Sequence, residues 1–239
     1  MQMSEMQYLP LTPGYFAILV GIYLLVLVLL LSTLRYAYLS LGVSSSAALL
    51  LLFGSLVGSY FNVTVAHLAP EPMVSERVHD YFGMYWVIPR LSHPQGTAIA
   101  VNIGGAVIPT IMSLYLLIAR QLWLKGLIAT AVVALVLHWL AQPVPGVGIA
   151  VPIFLPALVT AIVALVLAGE HAAPLAYIAG SMGTLIGADL SNLYRVRGLG
   201  APVASIGGAG TFDGIFLTGI LAVLLASLYH PRHAAAQQP

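Results

Sequence analysis

The sequence predicts an all-α fold, a polytopic transmembrane helical bundle of about seven spans with room for re-entrant segments. Two observations lead to that expectation. Hydrophobic residues make up 60% of the chain and charged residues 6%, whereas soluble domains carry about 25% charged residues. The apolar residues also form several stretches of about 20, the length that a helix needs to cross a bilayer. We therefore expect one integral membrane domain over residues 1–239, with the lipid bilayer as its solvent.

Seven stretches qualify as spans. The first has no charge before Arg35, and no basic residue precedes it, so it is interpreted as a retained helix rather than a signal peptide. In the second, Gly54 and Gly58 have the four-residue spacing that lets helices approach closely in lipid. The other five are separated by short polar or glycine- and proline-rich turns. The expected spans are 14–34, 45–65, 97–119, 124–140, 147–168, 172–194 and 210–229.

Glycine and proline concentrate in two stretches whose path the sequence leaves open. The stretch 143–156 is interpreted as a loop. The stretch 198–210 is either a loop or a re-entrant segment, because residues 203–206 are apolar enough to enter the membrane. Irregular backbone at that depth requires a protein-lined or watery environment.

Composition and motifs exclude several classes of function. A net charge of +1 offers no basic surface for nucleic acid, and a chain without cysteine has no thiolate nucleophile and no iron–sulfur site. The sequence contains no zinc motif, phosphate-binding loop or nucleophile elbow, so no metal and no cofactor is expected. His67 and His138 are interpreted as interface residues rather than haem ligands.

Two aspartates fall where charge is costly. Asp189 lies near the end of the sixth expected span and Asp213 at the start of the seventh. Acids within a membrane mark functional sites, because lipid does not solvate them. Successive spans run antiparallel, so these two residues are expected at the same depth on neighbouring helices, with their carboxyls close together.

Paired carboxyls that share one proton can activate a water and donate to a carbonyl at the same time. Asp189 and Asp213 are therefore the predicted catalytic residues of a diaspartyl intramembrane protease, whose substrate would be a membrane protein or peptide. The predicted supporting residues are the polar neighbours Asn102 and Asn192 and the residues Gly208, Gly210 and Thr211 of the string that leads to Asp213.

Three other readings stay open. The same acids suit a carrier or channel that moves protons, cations or a small solute. In a purely structural reading, Asp189 pairs with Arg195 or Arg197, and Asp213 stabilises the first turn of its helix. The short tails also suit an accessory subunit of a membrane complex.

Three strings carry a resemblance to a known family. They are AVNIGGAVIP at 100–109, GADL at 187–190 and GGAGTFDGIFL at 207–217. They resemble domain-of-unknown-function family 1614, an uncharacterised polytopic membrane family, over roughly residues 60–228. The resemblance implies a multi-spanning fold in a prokaryotic cytoplasmic membrane.

The aspartate pair also resembles that of presenilin and signal-peptide-peptidase-type intramembrane proteases. Those proteins place one aspartate on each of two successive spans, the second after a Gly-x-Gly. Here Gly208-Ala209-Gly210 is followed by two further residues before Asp213, and Ala188 stands where that family has a tyrosine. Their Pro-Ala-Leu motif appears as residues 156–158, ahead of both aspartates.

Overall fold

The computed structural model describes residues 13–69, 73–81, 84–92, 96–144, 148–152, 154–197, 199, 201–208 and 214–229, with the backbone alone for 73–81 and 84–92. These residues are mostly helical. Three helical segments of the described chain are long and apolar enough to cross a membrane: α1 (Pro13–Ser40), α4 (Trp123–Leu140) and the segment Phe154–Arg195. That segment contains α5 (Phe154–Ala168) and α6 (Ala172–Thr184), which pack against each other because the 3-10 turn Gly169–His171 lies between them.

Three shorter apolar helices accompany them. They are α2 (Ser45–Gly58), α3 (Ile108–Ala119) with the π-helical turn Ile103–Val107 before it, and α7 (Gly214–Tyr229). Only three described helices therefore reach spanning length, and the expected count of seven spans is not confirmed.

The chain is mostly helical, as expected, but seven short strands also lie between the helices in its described residues. Strands β1 (Asn62–His67), β4 (Ala98–Asn102) and β7 (Val203–Ile206) form one sheet in the order β1-β4-β7, with β1 antiparallel and β7 parallel to β4. Two hairpins complete the set: β2 (Met73–Tyr81) with β3 (Met84–Ser92), and β5 (Gln142–Val144) with β6 (Gly148–Ala150).

These strands shorten three of the expected spans. The helix of the second expected span ends at Gly58 and is followed by β1. The third expected span begins with strand β4 instead of a helix, and β6 comes before the helix of the fifth. An apolar strand and an apolar helix carry the same hydropathy signal, and the β-branched run Val63-Thr64-Val65 favours the strand. The stretch 203–206, which the sequence left open, is strand β7.

Helix α6 lies at the centre of the bundle. It packs against α3, α4, α5 and α7, and nearly all of its side chains are buried. Small residues permit this packing, as is usual between helices in lipid. A Cβ on Gly180 would lie 3.0 Å from the Cα of Gly219 in α7, and a Cβ on Gly183 would lie 2.6 Å from Val133 in α4.

Helix α1 joins the bundle only through its C-terminal third. Its buried residues are Leu34, Ala37 and Tyr38, and the Tyr38 ring lies 6.2 Å from that of Tyr177 in α6. The side chains of the preceding two thirds are apolar and largely exposed. That pattern is typical of a helix that faces lipid.

Candidate functional site at Asp189

The chain that follows α6 is helical but no longer α-helical as it approaches Asp189. Residues Leu185–Asp189 form a π-helical turn and Leu190–Arg195 a 3-10 helix. Two side chains bond to carbonyls in this turn. The Asn192 amide donates to the carbonyls of Gly187 (2.9 Å) and Ala188 (3.0 Å), and the Ser191 hydroxyl donates to Gly187 O (2.7 Å). Asn192, predicted to support the acids, thus bonds to the backbone that carries Asp189.

Helix α4 holds this turn from the other side. A Cβ on Gly187 would lie 2.2 Å from the carbonyl oxygen of Ala134, so the two backbones touch there. One turn along, His138 Nδ1 lies 2.8 Å from Ser191 Oγ. Because the Ser191 hydrogen points to Gly187 O, His138 Nδ1 is assigned as the donor of this bond.

Sequence reasoning missed the contact between His138 and Ser191. It treated His138 as an interface residue, and the two residues are 53 positions apart. Neither residue belongs to a motif, so no local sequence pattern indicates their contact.

The Asp189 carboxyl is half-buried and bonded to the turn that follows β7. Its Oδ2 accepts a hydrogen bond of 2.8 Å from the backbone N–H of Gly207. Gly207 has φ +86°, and a Cβ there would lie 2.6 Å from the backbone nitrogen of Ala106. Only glycine meets both conditions, so the glycine string is needed where it contacts Asp189.

A cavity of about 290 Å³ lies beside this carboxyl. Its walls come from three segments: the end of α6, strand β7 with its turn, and strand β6. The lining residues are Asp189, Leu193, Val196, residues 203–206, Gly208, Gly148 and Ile149. Among the described residues of this wall, Asp189 is the only acid, and most of the others are apolar.

A polar network runs from the π-helical turn before α3 to the cavity. Asn102 is fully buried; its amide donates to Ser59 O (2.7 Å) and Asn62 Oδ1 (3.1 Å), and its Oδ1 accepts from Gly105 N–H (2.8 Å). Ser205 Oγ in turn lies 2.6 Å from Asn62 Oδ1 and 2.5 Å from Gly208 O. Asn102, predicted as a polar neighbour of the acids, is thus linked to the cavity wall through Asn62 and Ser205.

The other predicted site residues divide into two groups. Gly208 lines the cavity with Asp189. Asp213, Gly210 and Thr211 lie outside the described residues, so the predicted meeting of the two carboxyls stays a prediction. Arg195, one of the two partners of the structural reading, donates from Nε to the hydroxyl of Tyr194 and lies over that ring.

A family model matches most of the chain. It is described as protein of unknown function (DUF1614), and it covers residues 56–225. The chain belongs to this family. The match includes every residue of the cavity wall and leaves α1 outside. No curated protein and no solved structure matches the chain, so the resemblance to presenilin-type proteases stays a hypothesis.

Proposed function

We propose that this DUF1614 protein is a diaspartyl intramembrane protease in which Asp189 and Asp213 share the acid and base roles. One observation carries the proposal: the Asp189 carboxyl lies in the wall of a cavity of about 290 Å³, directly after the uncharged residues 172–188 of a helical segment of membrane-spanning length. A carboxyl kept at such a position is costly without a function.

The packing of α7 supports a role for the second acid. Ile215, in the first turn of α7, is buried in the same apolar cluster as Leu185 and Ile206, and Leu193 packs against that cluster. Ile206 and Leu193 also line the cavity beside Asp189. Asp213 is two residues from Ile215, and two residues of chain span at most about 7 Å. We therefore propose that Asp213 faces the same cavity.

The geometry suggests how the roles divide. The Gly207 N–H donates to Asp189 Oδ2, and a donor of this kind stabilises a charged carboxylate. Asp189 is then the base that takes a proton from the attacking water, and protonated Asp213 donates to the carbonyl oxygen of the peptide bond. The tetrahedral intermediate collapses to a carboxylic acid and an amine: the amine nitrogen receives the proton that Asp189 took up, and Asp213 recovers its proton from one hydroxyl of the intermediate.

Reconstitution with transmembrane peptides tests this proposal. We expect wild type to cleave a subset of single-span peptides in liposomes, and Asp189→Asn and Asp213→Asn each to abolish cleavage while the thermal unfolding temperature stays unchanged or rises. Ser113→Ala, a buried substitution on α3 away from the cavity wall, is the control that keeps activity. Cleavage that survives in either aspartate variant would refute the dyad.

A second candidate function is translocation of a proton or cation past Asp189. The interruption of α-helical structure at Leu185–Arg195 beside the cavity favours it, because transporters place ion sites at broken helices. In liposomes, this function would appear as ion flux that Asp189→Asn suppresses, with every peptide left intact.

We also propose that the three shorter helices cross the membrane together with α1 and α4, and that the segment Phe154–Arg195 crosses twice, as α5 and α6. This gives the seven spans expected from hydropathy, in a prokaryotic cytoplasmic membrane. Helix α2, with 14 residues, is about 21 Å long at 1.5 Å per residue. It falls short of the hydrocarbon thickness of about 30 Å. The strands at the helix ends would complete such crossings, because their backbone groups are paired with neighbouring strands.

A further inference from the structure

Strand β7 has a free edge, since within the described part of the chain it pairs with β4 alone. The Ala98 N–H donates to Pro202 O (3.0 Å), and the parallel register places Ala98 opposite Val203. The backbone groups of a strand point to its two edges in alternation, so those of Val203 and Ser205 point away from β4. The Ser205 carbonyl accepts a bond from the Gly208 N–H (3.2 Å). The free edge therefore consists of the N–H and C=O of Val203 and the N–H of Ser205.

The cavity beside Asp189 runs along this free edge. All four residues of β7 line it, and none of the described residues of β4 does. Successive side chains of a strand point to opposite faces of the sheet, so a cavity that touches four consecutive residues lies at the edge of the strand and not over one face. Asp189 lines the same cavity, and the free edge and the acid therefore face one space.

Asp189 lies near one end of the helical bundle. The chain around it contacts α4 at Ala134 and at His138, so Asp189 is level with the last two turns of that helix. Trp139 follows directly in α4 and is 82% exposed. At 1.5 Å per residue, the levels of Asp189 and Trp139 differ by about 2–8 Å along the helix axis. Exposed tryptophans are enriched at the membrane–water interface, which places the acid near the end of a span rather than at its middle.

We propose that the cavity binds an extended segment at the end of a membrane-spanning peptide, and that this segment pairs with the free edge of β7 as an added strand. A peptide that leaves its helix at the end of a span exposes N–H and C=O groups that lack helical partners. The free edge offers matching groups, and strand addition is a common mode of peptide recognition. The cavity volume of about 290 Å³ is at the lower end for ligand pockets, which suits a short segment of chain.

This inference rests on the proposed function, because it describes how the substrate of that same site is held. In a helix, each peptide carbonyl accepts a bond from the N–H four residues further on, whereas an added strand leaves alternate carbonyls open to attack. Binding is measured with Asp189→Asn, which should not cleave the peptide and whose amide oxygen still accepts from the Gly207 N–H. Binding as described, without cleavage by wild type, would refute hydrolysis alone.

Methylation of peptide nitrogens tests the strand addition. The probe is a dye-labelled synthetic peptide with an apolar span of about 20 residues and a short valine- and threonine-rich segment at its end. Energy transfer in liposomes to a dye on Lys125→Cys, the single thiol of that chain, measures its affinity for the full-length Asp189→Asn protein. We expect methylation of one alternating set of N–H groups to weaken binding by about tenfold or more, and methylation of the other set to have little effect. Equal effects of the two sets, or no binding of the unmethylated peptide, would overturn the proposal.

Two substitutions at one position of β7 provide the matched test on the protein. Val203→Pro removes an N–H from the free edge, and proline is tolerated at the first residue of an edge strand. Val203→Ala keeps the N–H. We expect binding about tenfold weaker in Val203→Pro and nearly unchanged in Val203→Ala, with similar unfolding temperatures. Equal affinities would contradict pairing at this edge, and the methylated peptides decide the question with β7 intact if Val203→Pro does not fold.

A rearranged peptide tests where the extended segment lies in the membrane. The same valine and threonine residues are moved from the end of the span to its middle, so that length and composition stay constant. Because Asp189 lies near the level of Trp139, we expect the rearranged peptide to bind at least about tenfold more weakly, the effect of losing one or two hydrogen bonds. Equal or tighter binding of the rearranged peptide would show that the site does not take the end of a span.

Discussion

Asn102 shows how much one side chain contributes where the backbone leaves its regular pattern. It lies at the junction of β4 with the π-helical turn before α3, and its amide bonds to α2 through Ser59 and to that turn through Gly105. One fully buried residue thus joins two helical segments and the central strand of the three-stranded sheet.

We expect Asn102→Ala to lower the free energy of unfolding by about 2–4 kcal/mol, because it leaves a buried carbonyl and a buried N–H without partners. Asn62→Ala is the comparison, since Asn62 is exposed and water replaces its lost bond; its effect should stay below about 1 kcal/mol. Denaturant unfolding in mixed micelles measures both. Equal effects would show that Asn102 does not join these segments.

Gly207 is constrained both by its positive φ and by the lack of space for a Cβ, and mutations can separate the two effects. Its φ is +86° and its missing Cβ would overlap Ala106, whereas Gly169 has φ +51° and open space around its Cα. Gly169→Ala should cost only the conformational strain, about 1–2 kcal/mol. Gly207→Ala should cost several kcal/mol and move the N–H that bonds to Asp189.

Unfolding temperatures of both alanine variants check this pair. A Gly207→Ala protein as stable as Gly169→Ala would mean that the turn after β7 does not pack on Ala106.

Among the elements, α4 and α6 are held in backbone contact near the site. Gly187 is needed for that contact, because its Cβ would lie 2.2 Å from Ala134 O. The separation of the helices also sets the bond between His138 and Ser191.

Gly187→Ala should therefore push α4 away from the Asp189 turn and destabilise the protein by about 2–4 kcal/mol, the range for overpacking and its consequences. Gly21→Ala in α1 is the matched control, because nothing lies within 4 Å of its added Cβ. It should be neutral or slightly stabilising, since alanine favours helix. Thermal unfolding distinguishes them, and a neutral Gly187→Ala would refute the close contact.

At the scale of the whole molecule, the absence of cysteine allows the membrane topology to be mapped with single cysteines. Helix α4 has 18 residues and is about 27 Å long, close to the hydrocarbon thickness. Exposed residues Lys125 and Gln142 lie near and beyond its two ends. An impermeant thiol reagent should label Lys125→Cys and Gln142→Cys from opposite faces of sealed vesicles. Labelling of both from one face would show that α4 does not cross.

Part of the fold could be predicted from local composition. The long helices α1 and α4 follow from their largely apolar residues; the observed bounds of α4 nearly coincide with the expected 124–140, whereas α1 continues past the expected end at residue 34 to Ser40. The strands were not predicted, because hydropathy does not separate an apolar strand such as 98–102 from the helix that follows it. The pairing of β4 with β1 and β7, which lie elsewhere in the sequence, makes a strand the better way to satisfy its backbone groups.

The candidate site shows the same difference between what local composition predicts and what long-range packing decides. The sequence by itself predicted helices apolar enough to span a membrane, and it singled out Asp189 as an acid next to an uncharged stretch, because charge in such a stretch is rare and costly. Only the tertiary structure decided which groups lie near that acid. Gly207 bonds to it and Ser205 shares its cavity through the parallel pairing of β7 with β4, and His138 bonds to Ser191, two residues away, through the packing of α4 on α6. These contacts join residues far apart in sequence, and no local pattern encodes the packing that brings them together.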